Sequence, residues 1–117
     1  MTDLRAALKT ADELGGAGRY FDAHEELESI WMTAAGDEKI LLQGLIQIAA
    51  GLHRLSLDEK KTDGAFYLLE RGRQKLKKTA ALLEPAGLAA LETRLDAIRA
   101  TGKAPATLTF GLTGAAR

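Results

Sequence analysis

The sequence contains no cysteine among its 117 residues. This absence excludes disulfide bonds, thiolate nucleophiles and the zinc or iron–sulfur sites that cysteine ligands build. It is consistent with a reducing compartment, and we expect the protein to be cytoplasmic. No Ser-His-Asp or Cys-His arrangement is present either, so covalent catalysis has no candidate nucleophile.

The sequence also lacks an uninterrupted apolar run long enough to cross a membrane. The most apolar segment, residues 40–55, is 16 residues long and includes two glutamines, a histidine and an arginine. A membrane-spanning helix needs about 20 predominantly apolar residues. The first residues have no apolar core of signal-peptide length. We therefore expect a buried core helix here, with no membrane association.

An excess of charge of one sign is missing, because 16 acidic residues balance 16 basic ones. Residues 1–38 nevertheless carry a net charge of −6, whereas residues 39–78 carry +5. This pattern is typical either of two differently charged faces on one domain or of a protein that associates with itself or with an anionic partner. We expect a homo-oligomer or a protein partner, and the overall balance does not favour nucleic-acid binding.

The composition that is present, 46% hydrophobic and 27% charged residues, is that of one folded domain. Apolar residues recur at helical spacing in five segments. These predict helices over about 3–14, 19–34, 38–57, 63–83 and 86–100. The predicted fold is an all-α, single-domain bundle of about five helices, with antiparallel neighbours, over residues 1–104. Residues 105–117 are predicted to form a C-terminal tail, either extended or disordered.

The third predicted helix, about 38–57, is apolar on nearly every side, which predicts that it is the central one. Gly44 and Gly51 lie on one stripe of it, seven residues apart. Glycine costs about 1 kcal/mol relative to alanine inside a helix. The sequence therefore predicts a close approach of another helix at this stripe.

Polar side chains on the second and third helices occupy positions that the helical spacing predicts to be buried. His24 and Glu28 lie one turn apart on the same face as Trp31, with Glu25 at its border. Gln43 and Gln47 share a stripe of the third helix. Because buried polar groups need partners, we expect His24, Glu28 and these two glutamines to form one network between the helices.

Three interpretations of this cluster stay open. The first is a network that fixes the register of the two helices. The second is a cleft in which His24 acts as acid and base while Glu28 orients it, as in a hydrolase-like enzyme. The third is a divalent-metal site of His24, Glu25 and Glu28, because His-Glu-x-x-Glu differs from the zinc motif only in its last ligand. No other cofactor is expected, and the leading hypothesis is a binding or interaction module.

Two motifs resemble a bacterial and archaeal family known as domain of unknown function 309. The motifs are Tyr20-Phe21-x-Ala23-His24-Glu25-x-Leu27-Glu28-x-x-Trp31 and Leu42-Gln43-Gly44-Leu45-Ile46-Gln47-x-Ala49-Ala50, followed by Gly64-Ala65. The resemblance covers about residues 18–70 and implies a small all-helical bundle without an assigned activity. It also implies that the family's characteristic positions are His24, Glu25, Glu28, Trp31, Gln43 and Gln47. Lys60-Lys61 depart from the Gly-Asn that the family tends to have there.

Overall fold

The helix around which the others pack is α3, Gly36–Leu57. In this computed structural model, which describes residues 3–57 and 62–111, α3 packs against α2 (Tyr20–Trp31) and α4 (Thr62–Lys78). Its buried residues come in adjacent pairs that repeat every three or four residues, which gives a buried arc wide enough for both neighbours. The predicted central helix is thereby confirmed. The Lys60-Lys61 departure from the family pattern lies outside the described residues.

Side-chain contacts fix the directions of the three helices. The rings of Phe21 and His53 lie 5.2 Å apart, whereas Lys39 Nζ lies 4.6 Å from the ring of Trp31, so α2 runs antiparallel to α3. Gly51 lies against Ala65, whereas Gly44 lies against Gly72, so α4 likewise runs antiparallel to α3. As a consequence, α2 and α4 run parallel to each other on either side of α3.

Glycines bring the backbones of α3 and α4 unusually close. A Cβ atom on Gly72 would lie 2.5 Å from the carbonyl oxygen of Gly44, and one on Gly44 would lie 2.9 Å from that of Gly72. A Cβ atom on Gly51 would lie 3.0 Å from the carbonyl oxygen of Ala65. Only glycine permits these contacts without displacement of the backbone. The predicted close approach at the Gly44 and Gly51 stripe is confirmed, and α4 is the helix that makes it.

Two further helices complete the bundle: α1, Leu4–Gly16, packs on α2, and α5, Pro85–Thr101, packs on α4. The described residues thus form five α-helices and no strand, as predicted. The fourth helix ends at Lys78, earlier than predicted, and a single 3-10 turn follows at Ala80–Leu82. Pro85 disfavours helical geometry at the preceding residue, and Glu84 is extended.

Residues 103–111, here named the strap, run in an extended path across α1 and α5. Leu108 and Phe110 are buried, and the Leu108 amide donates to the carbonyl oxygen of Gly15 at 2.9 Å. The hydroxyl of Tyr20 donates to the carbonyl oxygen of Pro105 at 2.6 Å. Of the predicted tail, residues 112–117 lie outside the described part of the chain.

The strap explains a boundary that was predicted wrongly. The first helix was predicted over about 3–14, but Gly15 and Gly16 both belong to α1. A Cβ atom on Gly15 would collide with the carbonyl oxygen of Leu108. Gly15 is therefore suited to backbone contact within a helix as well as to ending one.

By length and composition α3 is able to cross a membrane, with 22 residues and a mean hydropathy of 1.3. No other helix within residues 3–57 and 62–111 meets that test. Half of an apolar 18-residue stretch of α3 is buried inside the bundle. In this fold α3 is a core helix, in agreement with the prediction from its polar side chains.

Candidate functional site

The pair of His24 and Glu28 lies on the side of α2 that borders α3. His24 Nε2 and Glu28 Oε2 are 3.4 Å apart, a close contact at the outer limit of hydrogen bonding. The His24 side chain is 27% exposed and that of Glu28 is 50% exposed. The prediction that Glu28 is buried is wrong, because α2 is an outer helix and Glu28 lies at the rim of its contact with α3.

His24 belongs to a row of rings at the start of α2. Its ring centroid lies 6.1 Å from that of Phe21, which in turn lies 5.2 Å from His53 of α3. His24 Nδ1 is buried and has no hydrogen-bond partner. One ring nitrogen thus contacts a carboxylate and the other none, so the arrangement orients the ring. The hypothesis of acid and base catalysis at His24 and Glu28 stays a prediction.

Trp31 closes the other end of the α2–α3 contact. Its ring packs against the core. Lys39 Nζ lies 4.6 Å from the centroid of this ring, within the range of a cation–π interaction. Its Nε1 donor is buried without a partner. This contact holds the end of α2 against the beginning of α3, so Trp31 has a packing role here.

The glutamines do not join His24 and Glu28 in one network. Gln47 Oε1 accepts a hydrogen bond of 2.9 Å from Lys75 of α4, on the opposite side of α3. The Gln43 side chain forms no hydrogen bond with another described residue, and it lies half-buried on the outward side of α3. The expected single network is therefore wrong. The polar positions divide between two helix contacts, α2–α3 and α3–α4.

A basic cleft of about 300 Å³ opens beside Lys75, between α3 and α4. Burial, followed by the nearby charges of Arg71 and Lys78, lowers the pKa of Lys75. None of these three cations forms an ion pair with a carboxylate of residues 3–57 or 62–111. The basic side of α4 thus concentrates positive charge that no carboxylate of the described residues pairs with.

Two exposed rows with the same spacing border α3 on its outward side. We name them the acidic row, on α2 and the residue after it, and the basic row, on α4. The acidic row consists of Phe21, Glu25, Glu28 and Met32, and the basic row of Tyr67, Arg71, Gln74 and Lys78. Each row follows the spacing i, i+4, i+7 and i+11 and begins with an exposed aromatic ring.

Between the rows lies the outward side of α3, which is mainly small or polar. Gln43, Gln47 and Ala50 are half-buried there, and Arg54 is exposed. We name the two rows and this strip together the interaction face. Sequence reasoning singled out four of its polar positions, Glu25, Glu28, Gln43 and Gln47, but did not assign the basic row to the same face. The equal spacing of the two rows was the available signal.

Metal coordination would need several ligands in one place. Within the described ranges, no group of three or more histidine, aspartate or glutamate side chains is arranged to hold a metal ion. The Glu25 side chain is exposed, and of the three residues only His24 and Glu28 are in contact. The residues present therefore do not form the site that the His-Glu-x-x-Glu pattern suggested.

Comparison with known proteins gives a family match but no assigned activity. A family model described as "Domain of unknown function (DUF309)" matches residues 8–68, slightly more than half of the 117 residues. Searches of curated proteins and of solved structures found no match. The matched region includes all of α2 and α3, and hence the acidic row and the polar positions of both helices. The chain therefore belongs to the family described as Domain of unknown function (DUF309).

Proposed function

We propose that this protein is a cytoplasmic interaction module that pairs with a second copy of itself through the interaction face. The observation that supports this most directly is the location of its exposed apolar side chains. Phe21, Met32, Leu57 and Tyr67 are between 50% and 72% exposed, and they are the large hydrophobic side chains exposed among the described residues. All four belong to α2, α3 and α4 or directly follow them. Such clustering is typical of a surface that another molecule covers.

Charge complementarity supports a second copy as the partner. The acidic row carries two carboxylates, and the basic row carries Arg71 and Lys78 next to Lys75. Within the described chain, neither Glu25 nor Arg71 has an ion-pair partner. A face with an acidic edge and a basic edge is complementary to a copy of itself that is turned over.

Only one of the simple two-fold arrangements brings opposite charges together. A two-fold axis parallel to α3 places α2 of one copy over α4 of the other, twice. An in-plane axis perpendicular to α3 would instead place each row over itself and oppose like charges. In the first arrangement the α3 helices of the two copies run in the same direction. Residues at the same level along α3 therefore face each other across the interface.

The two rows are in register for this arrangement. Phe21 is level with His53, so Glu25, four residues further along antiparallel α2, is level with Ala49. Gly72 is level with Ile48, so Arg71 is also level with Ala49. Glu25 of each copy therefore lies over Arg71 of the other. By the same spacing, Phe21 lies over Tyr67 and Met32 over Lys78.

The size of the face suits a stable pair. Three adjacent helices with axes about 9 Å apart and a length of about 25 Å present a face on the order of 600 Å². A standard protein–protein interface buries about 800 Å² on each partner. Side chains from both rows extend beyond the helix cylinders, so the interaction face approaches that standard size.

Charge exchange between the rows tests the pairing and its register together. Glu25→Arg and Arg71→Glu each create two contacts between like charges in the dimer. We expect each variant to weaken dimerisation at least about tenfold. An equimolar mixture of the two variants restores both opposite-charge contacts and is expected to form heterodimers. The double variant is expected to dimerise like the wild type. Sedimentation equilibrium measures each dissociation constant.

A matched control makes the same change of charge outside the interaction face. Glu26→Arg alters an exposed carboxylate on the other side of α2 and should leave the dissociation constant unchanged. A wild type that stays monomeric at all accessible concentrations would contradict the proposed function. If the wild type dimerises and Ala50→Arg disrupts the dimer, but the mixed variants do not pair, the interaction face is correct and the register is wrong.

A further inference from the structure

A second concave surface lies away from the interaction face, between α5 and the strap. This groove encloses about 410 Å³, a volume within the range of small-molecule sites. Its wall is largely apolar, with Ala97 and Ile98 from α5 opposite Ala104, Pro105 and Leu108 from the strap. Nothing in the interaction face uses these residues, so the groove needs an explanation of its own.

One cation stands at each end of the groove. Arg94 Nη2 donates to the carbonyl oxygens of Thr109 and Phe110, at 2.7 and 3.1 Å, while Arg94 Nε is buried without a partner. Lys103 also lines the groove, at the other end of the strap from Thr109 and Phe110. Within the described residues neither cation has an ion pair with a carboxylate. The groove thus offers apolar surface between two cations that no described carboxylate pairs with.

The separation of the two cations defines a length. Arg94 and Thr101, the groove residue beside Lys103, are seven positions apart on α5, which is about 10 Å at 1.5 Å per residue. The amide of Lys103 donates to Thr101 Oγ1 at 3.3 Å, which helps to fix the start of the strap relative to α5. A ligand that satisfies both ends must therefore be elongated.

We propose that this groove binds an unbranched aliphatic ligand with a carboxylate at each end. One carboxylate pairs with the guanidinium of Arg94 and the other with the ammonium of Lys103, while the chain covers Ile98, Pro105 and Leu108. Apolar contact supplies the attraction along the groove, and the two charges select ligand length and polarity. This proposal is independent of self-association, because it uses α5 and the strap alone.

A series of simple probes tests the proposal directly. Suberate and sebacate span the groove, succinate is too short, octanoate carries one carboxylate, and 1,8-octanediol carries none. We expect millimolar binding of suberate or sebacate, as is usual for ligands of this size in an open site. Octanoate should bind at least about threefold more weakly, and the diol and succinate more weakly still. Methyl chemical shifts of Ala97, Ile98 and Leu108 report binding at the groove.

Two substitutions that each remove one positive charge distinguish binding in the groove from a general attraction of anions to the protein. Lys103→Met removes one end of the groove and is expected to reduce dicarboxylate affinity to that of octanoate. Lys9→Met, on the exposed side of α1, should change nothing. Arg94 also holds the strap, so Lys103 is the more informative position. Equal binding of diol and dicarboxylate, or no movement of the three methyl signals with any probe, would overturn the proposal.

Discussion

The hydroxyl of Tyr20 connects the start of α2 with the strap. Tyr20 is 3% exposed, and its hydroxyl donates to the carbonyl oxygen of Pro105 across 85 positions of the chain. The ring packs in the core, whereas the hydroxyl satisfies a carbonyl that a buried contact would otherwise leave without a donor. One side chain therefore contributes both packing and a long-range hydrogen bond.

Removal of this hydroxyl separates the two contributions. Tyr20→Phe keeps the ring and deletes the hydrogen bond, and we expect the free energy of unfolding to fall by about 0.5–1.5 kcal/mol. Urea denaturation followed by circular dichroism measures the difference. Tyr67→Phe is the matched control, because Tyr67 is 64% exposed and should show almost no change. Equal effects at both positions would mean that the Tyr20 hydrogen bond contributes nothing.

The same tyrosine predicts an alkaline dependence of stability. Burial raises the pKa of Tyr20 above its ordinary value of 10.0. The unfolded chain therefore ionises first, so the stability contributed by Tyr20 is complete below pH 10 and is lost as the pH rises through the folded-state pKa. Denaturation series from pH 9 upward should show a steeper loss of stability for the wild type than for Tyr20→Phe. Parallel curves would contradict this.

At the scale of helices, the contact between α3 and α4 depends on two glycines that face each other. In Gly72→Ala, the new Cβ would lie 2.5 Å from the Gly44 carbonyl oxygen and 2.6 Å from Ile48 Cγ1. Alanine favours the helix by about 1 kcal/mol, but overpacking costs about 1–3 kcal/mol. Because the new atom meets backbone, we expect net destabilisation of up to about 2 kcal/mol, measured by thermal or urea denaturation.

Gly16→Ala provides the comparison within another helix. Its Cβ would meet only Thr109 Oγ1 at 3.3 Å, a side-chain atom that rotates away easily. The helix preference for alanine then has little to oppose it, so the free energy of unfolding should change little or rise slightly. If the two substitutions cost the same, close backbone approach does not explain the effect at Gly72.

Helices were the part of this molecule that the sequence predicted well. Apolar residues at helical spacing gave five helices and the central position of α3, because burial of one side of each helix depends on local periodicity. Gly44 and Gly51 also indicated a close neighbour. The neighbour itself, α4, followed from tertiary packing that no local pattern contains.

The candidate site was predicted only in part, for the same physical reason. His24 and Glu28 are in contact because residues four apart share one side of a helix. The partner of Gln47 depends on which side of α3 meets α4, and that partner is Lys75. The sequence placed Gln47 on the right helix, but its spacing alone did not determine the neighbouring element.

At the scale of the whole molecule, the strap completes the core. Phe110 is fully buried and Leu108 is nearly so, although both come from a segment without secondary structure. We expect Phe110→Ala to lower the free energy of unfolding by about 3–5 kcal/mol, a large part of the stability of a small domain. Thr109→Ala, between the two buried residues but exposed itself, should stay within about 0.5 kcal/mol of the wild type. Differential scanning calorimetry of both variants provides the measurement.

A mild effect of Phe110→Ala would mean that the helices fold without the strap. In that case hydrogen exchange would show the strap amides exchanging well before those of α3. We expect instead that the Leu108 amide, which donates to Gly15, is protected to nearly the same degree as the core helices.

The position of the strap in the chain has a consequence for synthesis. Its partner α1 is made before it, and Phe110 follows Gly16 by more than ninety residues. At about 5–20 residues per second, the side of α1 that the strap covers waits roughly 5–20 s after it is made. During that interval the nascent chain presents an uncovered apolar strip around Gly15. Chaperones that recognise apolar segments have their opportunity to bind there, before the last described residues of the chain emerge and close it.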